Sequence, residues 1–407
     1  MSDFQKLWVG QAVSVFGSLI TRTALPWCAL LFLHARALDM ALLVLADLLP
    51  GFLLGLFAGA WLDRRAKRPV MIACDILRFL LVMSIPALAL TGKLTLGSLF
   101  AVAPLMGILS TVFDIAYQSY LPELVQGEAL GRANSRLSAS AAVAEVCAFS
   151  VSGWLVQHFG GPQALLIDAG TFLLSALSLL AIRQPNHVVP QLAGVQGVGL
   201  FQEAVEGLRY VGRQRLLRAL ALAQVALSFS MSLLSPLVLL FMTRTLALEP
   251  KFLGMVFAVG GVTSLLGATF AAPLAQRFGV YRATALSFGL IPLGMLMIPL
   301  APTRSALSYG LLTANQLITD PGWTIFEIHQ TTLRQQLAPE KLLGRVNAVT
   351  KVGGLGASLL GTLLAGALGD RVGPRPVLFA GVGLAFVAAI LFARELSTSY
   401  PQTVDNS

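Results

Sequence analysis

Charge is what this chain has least of. Only 12% of its 407 residues are Asp, Glu, Lys or Arg, about half the share of a soluble globular chain. So few charges cannot coat a particle of this size against water, so a water-soluble globule is excluded and the surrounding medium is apolar. Cysteine is scarce as well. Cys28, Cys74 and Cys147 each sit in an apolar run with no CxxC spacing, which argues against a disulfide framework and a zinc site. The four histidines, His34, His158, His187 and His329, are scattered and form no HExxH pattern, so metal and cofactor chemistry are not expected. There is no GxxxxGK[ST] loop, so any energy used here comes from a gradient rather than from ATP. Nor does the N-terminus look like a signal peptide. Met1 to Trp8 is short and polar and leads straight into a long apolar run, read as a retained first helix.

What the chain does have is length of hydrophobic run. Hydrophobic residues make up 56% of it, with mean hydropathy +0.78. A spanning helix needs about 20 mostly apolar residues. Twelve such runs are legible, near 8–33, 38–60, 70–91, 95–117, 136–157, 162–182, 216–243, 251–275, 282–301, 304–327, 346–369 and 374–394. The net charge of +9 is not a nucleic-acid signature, because the basic residues collect in alternate loops. Lys6, Arg64, Arg65, Lys67, Arg68, Arg132, Arg136, Arg183 and Arg345 fall on one side, while the other side holds a smaller set such as Arg36, Lys93 and Arg304. That asymmetry predicts a multi-pass protein of the cell (inner) membrane with both termini cytoplasmic and an even number of spans. The expected organisation is an N-terminal six-helix bundle over 1–182, a linker over 183–215, a C-terminal six-helix bundle over 216–394 and a tail over 395–407. Within the linker, Phe201, Val205, Leu208 and Val211 share one helical stripe, which predicts an amphipathic helix lying in the membrane interface.

The two halves repeat. Gly131-Arg132-Ala133-Asn134 returns as Gly344-Arg345-Val346-Asn347, about 213 residues on. Gln118-Ser119-Tyr120-Leu121 faces Gln330-Thr331-Thr332-Leu333, and Gly161-Pro162 faces Gly373-Pro374. A unit of six spans keeps both copies in one orientation, the parallel repeat that transporters build around a central cavity. The loop Gly59-Ala60-Trp61-Leu62-Asp63-Arg64-Arg65-Ala66-Lys67-Arg68 resembles the signature between helices 2 and 3 of the major facilitator superfamily. It departs at Trp61, where an aliphatic is usual nearby, and at Ala66, where Gly is usual. Ser14 to Pro26 with Arg22, the Asp75-x-x-Arg78 pair and the Leu-Gly-Arg-x-Asn segments are similar to the branch of enterobactin exporters and macrolide-efflux proteins. The resemblance spans essentially the whole chain. It implies an all-α integral membrane fold of twelve transmembrane helices in two six-helix pseudo-repeats. It further implies a gating role for Gly59, Asp63, Arg64, Arg65 and Arg68, with Asp75 and Arg78 attached to that motif.

Ionisable groups inside a bilayer cost roughly 2.5–3.5 kcal/mol at a helix centre and so tend to be functional. Counting 1.5 Å per residue from the cytoplasmic ends puts Arg22, Asp47 and Asp168 at similar depths of roughly 20–25 Å. They form a candidate cluster in which two acids share one cation, either a proton site or a packing ion pair. Glu145 and Asp320 are candidate cavity residues. Asp320 precedes Pro321-Gly322, where a local helix break is expected. Asp114 and Glu327, at matching places in the two halves, are candidate cytoplasmic gate residues expected to pair with Arg132 and Arg345. The reading is a secondary transporter, not an enzyme, exporting a drug or siderophore-like metabolite in exchange for protons. Its partners are a small-molecule substrate, protons and the lipid bilayer, and it works as a monomer. Uptake or lipid flipping by the same fold is the alternative. A membrane-embedded enzyme would need a convergent nucleophile and base, and none is visible.

Overall fold

The computed structural model describes residues 2–62, 65–125, 128–183 and 200–399. The described secondary structure is helical throughout: α1 (Asp3–Trp27), α2 (Ala37–Leu62), α3 (Lys67–Leu90), α4 (Leu96–Leu124), α5 (Glu128–Phe159), α6 (Gly161–Leu180), α7 (Leu200–Arg213), α8 (Arg215–Leu240), α9 (Pro250–Phe278), α10 (Val280–Met295), α11 (Met297–Leu300), α12 (Ala306–Leu337), α13 (Glu340–Val372) and α14 (Pro374–Ser399). Local chemistry sets several starts. Ser2 and Gln5 form a capping box on α1, and Thr95 and Ser98 form one on α4, which satisfies amide groups that the first turn leaves open.

Ten of these elements are long and apolar enough to cross a membrane, with α10 and α11 forming one interrupted span. The two remaining long helices, α2 and α12, complete the twelve. α12 contains Asn315, Gln316, Asp320, Glu327, His329 and Gln330, which dilute its hydropathy. α5, α12 and α13 run to 32, 32 and 33 residues. At 1.5 Å per residue that is about 48 Å, well beyond a hydrocarbon core of about 30 Å. Their ends therefore project past the apolar runs read from the sequence.

The chain divides into two compact units, Met1–Val195 with Glu249–Ala258, and Gln196–Leu248 with Val259–Ser407. In the first unit α1 packs on α5 and α6, and α3 packs on α4 and α6. In the second, α8 packs on α13 and α14, and α10 packs on α12 and α14. These are the same pairings carried through the repeat. The backbone repeats its irregularities in the same register. α1 ends in a π-helical turn at Cys28–Phe32 and α8 in another at Phe241–Thr245, 213 residues later. His34 and Ala247, also 213 apart, both have positive φ, as do Gly160 and Gly373 just before α6 and α14. The glycine equivalence is thus Gly160 with Gly373, one residue off the Gly161 match suggested by sequence.

With lipid outside, no hydrophobic drive pulls apolar helices together, and close packing of small residues takes its place. A Cβ on Gly107 of α4 would lie 2.0 Å from the Asp47 carbonyl oxygen of α2, and one on Gly361 of α13 would lie 2.6 Å from the Phe229 carbonyl of α8. Leucines fill the outer faces: Leu80, Leu174, Leu265 and Leu360 are all more than half exposed, as lipid contact requires. Inside the second unit, Phe288 of α10 stacks on Phe326 of α12 and Phe392 of α14 meets both edge-on, with centroids 4.8–6.1 Å apart.

α7 packs against α8 and α13 within the second unit. Val211 is buried with Leu217, Ala338 and Val346, and Gly207 lies against the Arg345 backbone of α13. Leu208, on the expected apolar stripe, stays exposed. The side chains of Phe201 and Val205 lie outside the described residues.

Candidate functional site

Arg22 lies on α1 and Asp47 on α2, with no direct ion pair between them among the described residues. Both are exposed in the isolated chain, and Arg22 is the cation that acts electrostatically on Asp47. Gly107 lets the α2 backbone at Asp47 come against α4.

Asp168 does not join them. It is fully buried on α6 and faces the side of α1 that carries Gly17 and Thr21, where a Cβ on Gly17 would lie 2.5 Å from its Oδ1. Thr171 donates its hydroxyl to Asp168 Oδ1 at 3.0 Å. The cation acting on Asp168 is Arg78, not Arg22. The expected three-residue cluster therefore splits in two. Thr21 is buried and Arg22 is exposed because neighbouring positions on a helix point about 100° apart.

Arg78 is the centre of the buried set. Its Nη2 donates to Asp75 Oδ1 at 2.5 Å, one turn back on α3. Its guanidinium lies between the rings of Phe113 and Phe172, 4.2 and 4.5 Å from their centroids. Planar, delocalised Arg suits stacking of this kind. Arg78 also acts on Asp114, which is exposed on α4.

The gate pairs expected between Asp114 and Arg132, and between Glu327 and Arg345, are not formed. Arg345 instead donates to Glu206 of α7 at 2.5 Å. Glu327 accepts from Gln330 Nε2 at 2.5 Å, and the same amide donates to Gln224 of α8 at 2.7 Å. Arg334, two turns on, is the cation acting on Glu327. Arg132 and Glu145 are exposed on α5.

Nor is there a helix break at Asp320. α12 runs unbroken through Pro321. Thr324 donates its hydroxyl to the Asp320 carbonyl, and Gly267 of α9 admits Pro321 so closely that a Cβ there would sit 2.7 Å from its Cα. Neighbouring groups of this kind let a membrane helix carry proline. Asp320 itself lies over Gly260 of α9.

In the motif loop, Asp63 and Arg64 lie outside the described residues, and Gly59 falls near the end of α2. Arg65 is exposed with its guanidinium 5.0 Å from the Trp61 ring. Arg68 donates to the carbonyls of Leu179 and Leu180 at 2.8 and 2.9 Å. It thereby satisfies open carbonyls at the negative end of α6. Lys67, read from the sequence only as a topology signal, is 7% exposed and pairs with Glu123 of α4 at 2.7 Å. The available signal was a lone acid at the end of the fourth apolar run, opposite the motif's basic cluster.

A family model described as Major Facilitator Superfamily matches residues 7–362. Among curated relatives, "Multidrug efflux pump Tap" of Mycolicibacterium fortuitum is 31% identical over 366 residues, covering 88% of this chain and 87% of that one. The "Uncharacterized MFS-type transporter YfiS" of Bacillus subtilis is 24% identical, covering 90% and 87%. Among solved structures, a bacterial homologue of the iron transporter ferroportin in its inward-facing state superposes with a TM-score of 0.76 at 18% identity, covering 97% of this chain and 98% of that one. At that identity the likeness concerns the fold alone.

Proposed function

We propose that this chain, which belongs to the Major Facilitator Superfamily, exports a small amphipathic molecule, a drug or a siderophore-like metabolite, by alternating access in exchange for protons. As a family member it is a multi-pass membrane transporter of small molecules and not an enzyme. The observation that supports the proton reading is that Arg22 and Asp47, a cation and an acid at exposed positions within α1 and α2, act on each other electrostatically. Charges within spans are expensive to insert and so mark pathways and proton relays. The export reading is supported by the multidrug efflux relative that matches seven-eighths of the chain.

In this reading a proton on Asp47 frees Arg22, and its loss restores the attraction. The protein works as a monomer in the cell (inner) membrane with both termini cytoplasmic, the side to which the basic loops belong. Asp63 and its neighbours in the motif loop serve the gate. Glu145 and Asp320 line the substrate path.

The test uses inverted membrane vesicles with an imposed proton gradient and ethidium as substrate. Wild type takes up ethidium and dissipates the gradient as it does so. Asp47→Asn abolishes gradient-driven uptake while leaving ethidium exchange across unenergised membranes. Gradient-driven uptake by Asp47→Asn at the wild-type rate rejects the role given to Asp47, and ethidium movement indifferent to the gradient rejects proton coupling.

A further inference from the structure

The α1–α3–α6 core of the first unit buries two acids and one cation. Asp75 and Asp168 are 0% exposed and Arg78 is 4% exposed, so two carboxylates share one guanidinium in a packed helical interior. An unpaired charge in such a place is far too costly to persist. One of the two acids must therefore be neutralised by something other than Arg78.

The ion pair shows which. Asp75 holds the direct ion pair. Asp168 accepts only from Thr171 through Oδ1, and its Oδ2 has no partner among the described residues. The hydroxyl of Thr21, on the face of α1 against Asp168, makes no close hydrogen bond either but acts on this carboxyl as a donor, and Thr21 is 9% exposed. An ionised Oδ2 can accept from that hydroxyl, so hydrogen bonding alone does not fix the charge; the count of buried charge, with the one guanidinium already bound to Asp75, leaves Asp168 the neutral acid. Protonated, it becomes a donor and the hydroxyl its acceptor. Among the described residues, the charged groups acting on Asp168 are Arg78 and Asp75, both from α3. α1 contributes Thr21 and Gly17, and the π-helical turn after it contributes the buried thiol of Cys28 near Gly161. Asp114 of α4 reaches the set through Arg78 and is exposed.

We propose that Asp168 is an occluded proton-binding site in the α1–α3–α6 core, distinct from exposed Arg22 and Asp47, with Arg78 as its switching cation. The proton comes from water and forms an O–H bond at Asp168 Oδ2, directed at Thr21 Oγ1. When it leaves, it returns to water, and Arg78 swings to lie between Asp75 and the new Asp168 carboxylate, so the site is one proton poorer. Phe113 and Phe172 hold the guanidinium plane through that exchange and keep bulk water from it. The occupancy of the site stands without the transport reading. Only its discharge during turnover rests on proton-coupled export.

The purified full chain in lipid nanodiscs, examined by infrared difference spectroscopy in H2O and D2O at neutral pH, separates these. Wild type shows a protonated-carboxyl C=O band that shifts in D2O. Asp168→Asn loses it, Asp168→Glu moves it, and Asp47→Asn retains it. The Glu variant keeps the result readable if Asn fails to fold. A wild type without such a band, or a band unchanged in Asp168→Asn, overturns the site. A wild type that lacks the band and gains thermal stability on replacing choline with sodium marks a metal-cation site and overturns it equally. Adding ethidium to the same protein releases protons in wild type and none above background in Asp168→Asn. A wild type that keeps the band yet releases no proton leaves the site standing and removes the coupling.

Discussion

Replacing Arg78 by Met removes the guanidinium while keeping an unbranched side chain between Phe113 and Phe172. Asp75, fully buried and 2.5 Å from the lost nitrogen, is left without its cation. Removing one member of a buried pair typically costs about 3–5 kcal/mol, whereas replacing both by apolar residues of similar volume is near neutral. The lost cation–π contacts with two rings add up to about 1–2 kcal/mol, part of which the Met sulfur returns. Arg78→Met is therefore expected to lose about 4–6 kcal/mol, and Asp75→Leu/Arg78→Met to recover at least about 2 kcal/mol of it. Equilibrium unfolding in mixed detergent micelles, followed by tryptophan fluorescence with helicity checked by circular dichroism, measures both. A single variant within about 1 kcal/mol of wild type, or a double variant no more stable than the single, refutes the placement of this pair in a dry, packed interior.

Three further outcomes follow from packing and exposure. Gly107→Ala puts a Cβ within 2.0 Å of a backbone oxygen that no rotamer change can move. It should cost about 1–3 kcal/mol, read as a lowered melting temperature, and a neutral substitution contradicts the α2–α4 approach. Lys67→Glu sets like charges together where Lys67 and Glu123 now pair at 2.7 Å. Thermal stability should fall by an amount between the exposed and buried limits, about 1–3 kcal/mol, and the Lys67→Glu/Glu123→Lys exchange should restore most of it. A hydrophobic maleimide should label Cys147 alone in the folded protein, since Cys28 and Cys74 are buried. Intact-mass spectrometry showing more than one adduct before denaturation contradicts that burial.

Much of the architecture was legible because membrane spans announce themselves by length and hydropathy, and because the Gly-Arg-x-Asn segments kept register across the repeat. The candidate site was legible only in part. Helix rise gave Arg22, Asp47 and Asp168 a common height, but height says nothing about which way a side chain points. One position separates buried Thr21 from exposed Arg22, and that single step assigns Asp168 to a different neighbourhood. Pro321 looked like a break because proline removes a helix hydrogen bond. The close approach of Gly267, which lets the helix continue, is a tertiary contact that no local pattern contains. Glu206 as the partner of Arg345 was hidden for the same reason, since it comes from a different helix 139 residues away.

The paired π-helical turns bear on the history of the chain. Their sequences, Cys-Ala-Leu-Leu-Phe and Phe-Met-Thr-Arg-Thr, agree at no position, yet the same widened coil sits at the same place in each half. An irregularity this uncommon is more economically inherited than acquired twice, which places it before the duplication and makes it a feature that survived replacement, in at least one half, of each side chain across it. Backbone defects are then the surer landmarks for matching one half to the other, and residue identity the weaker.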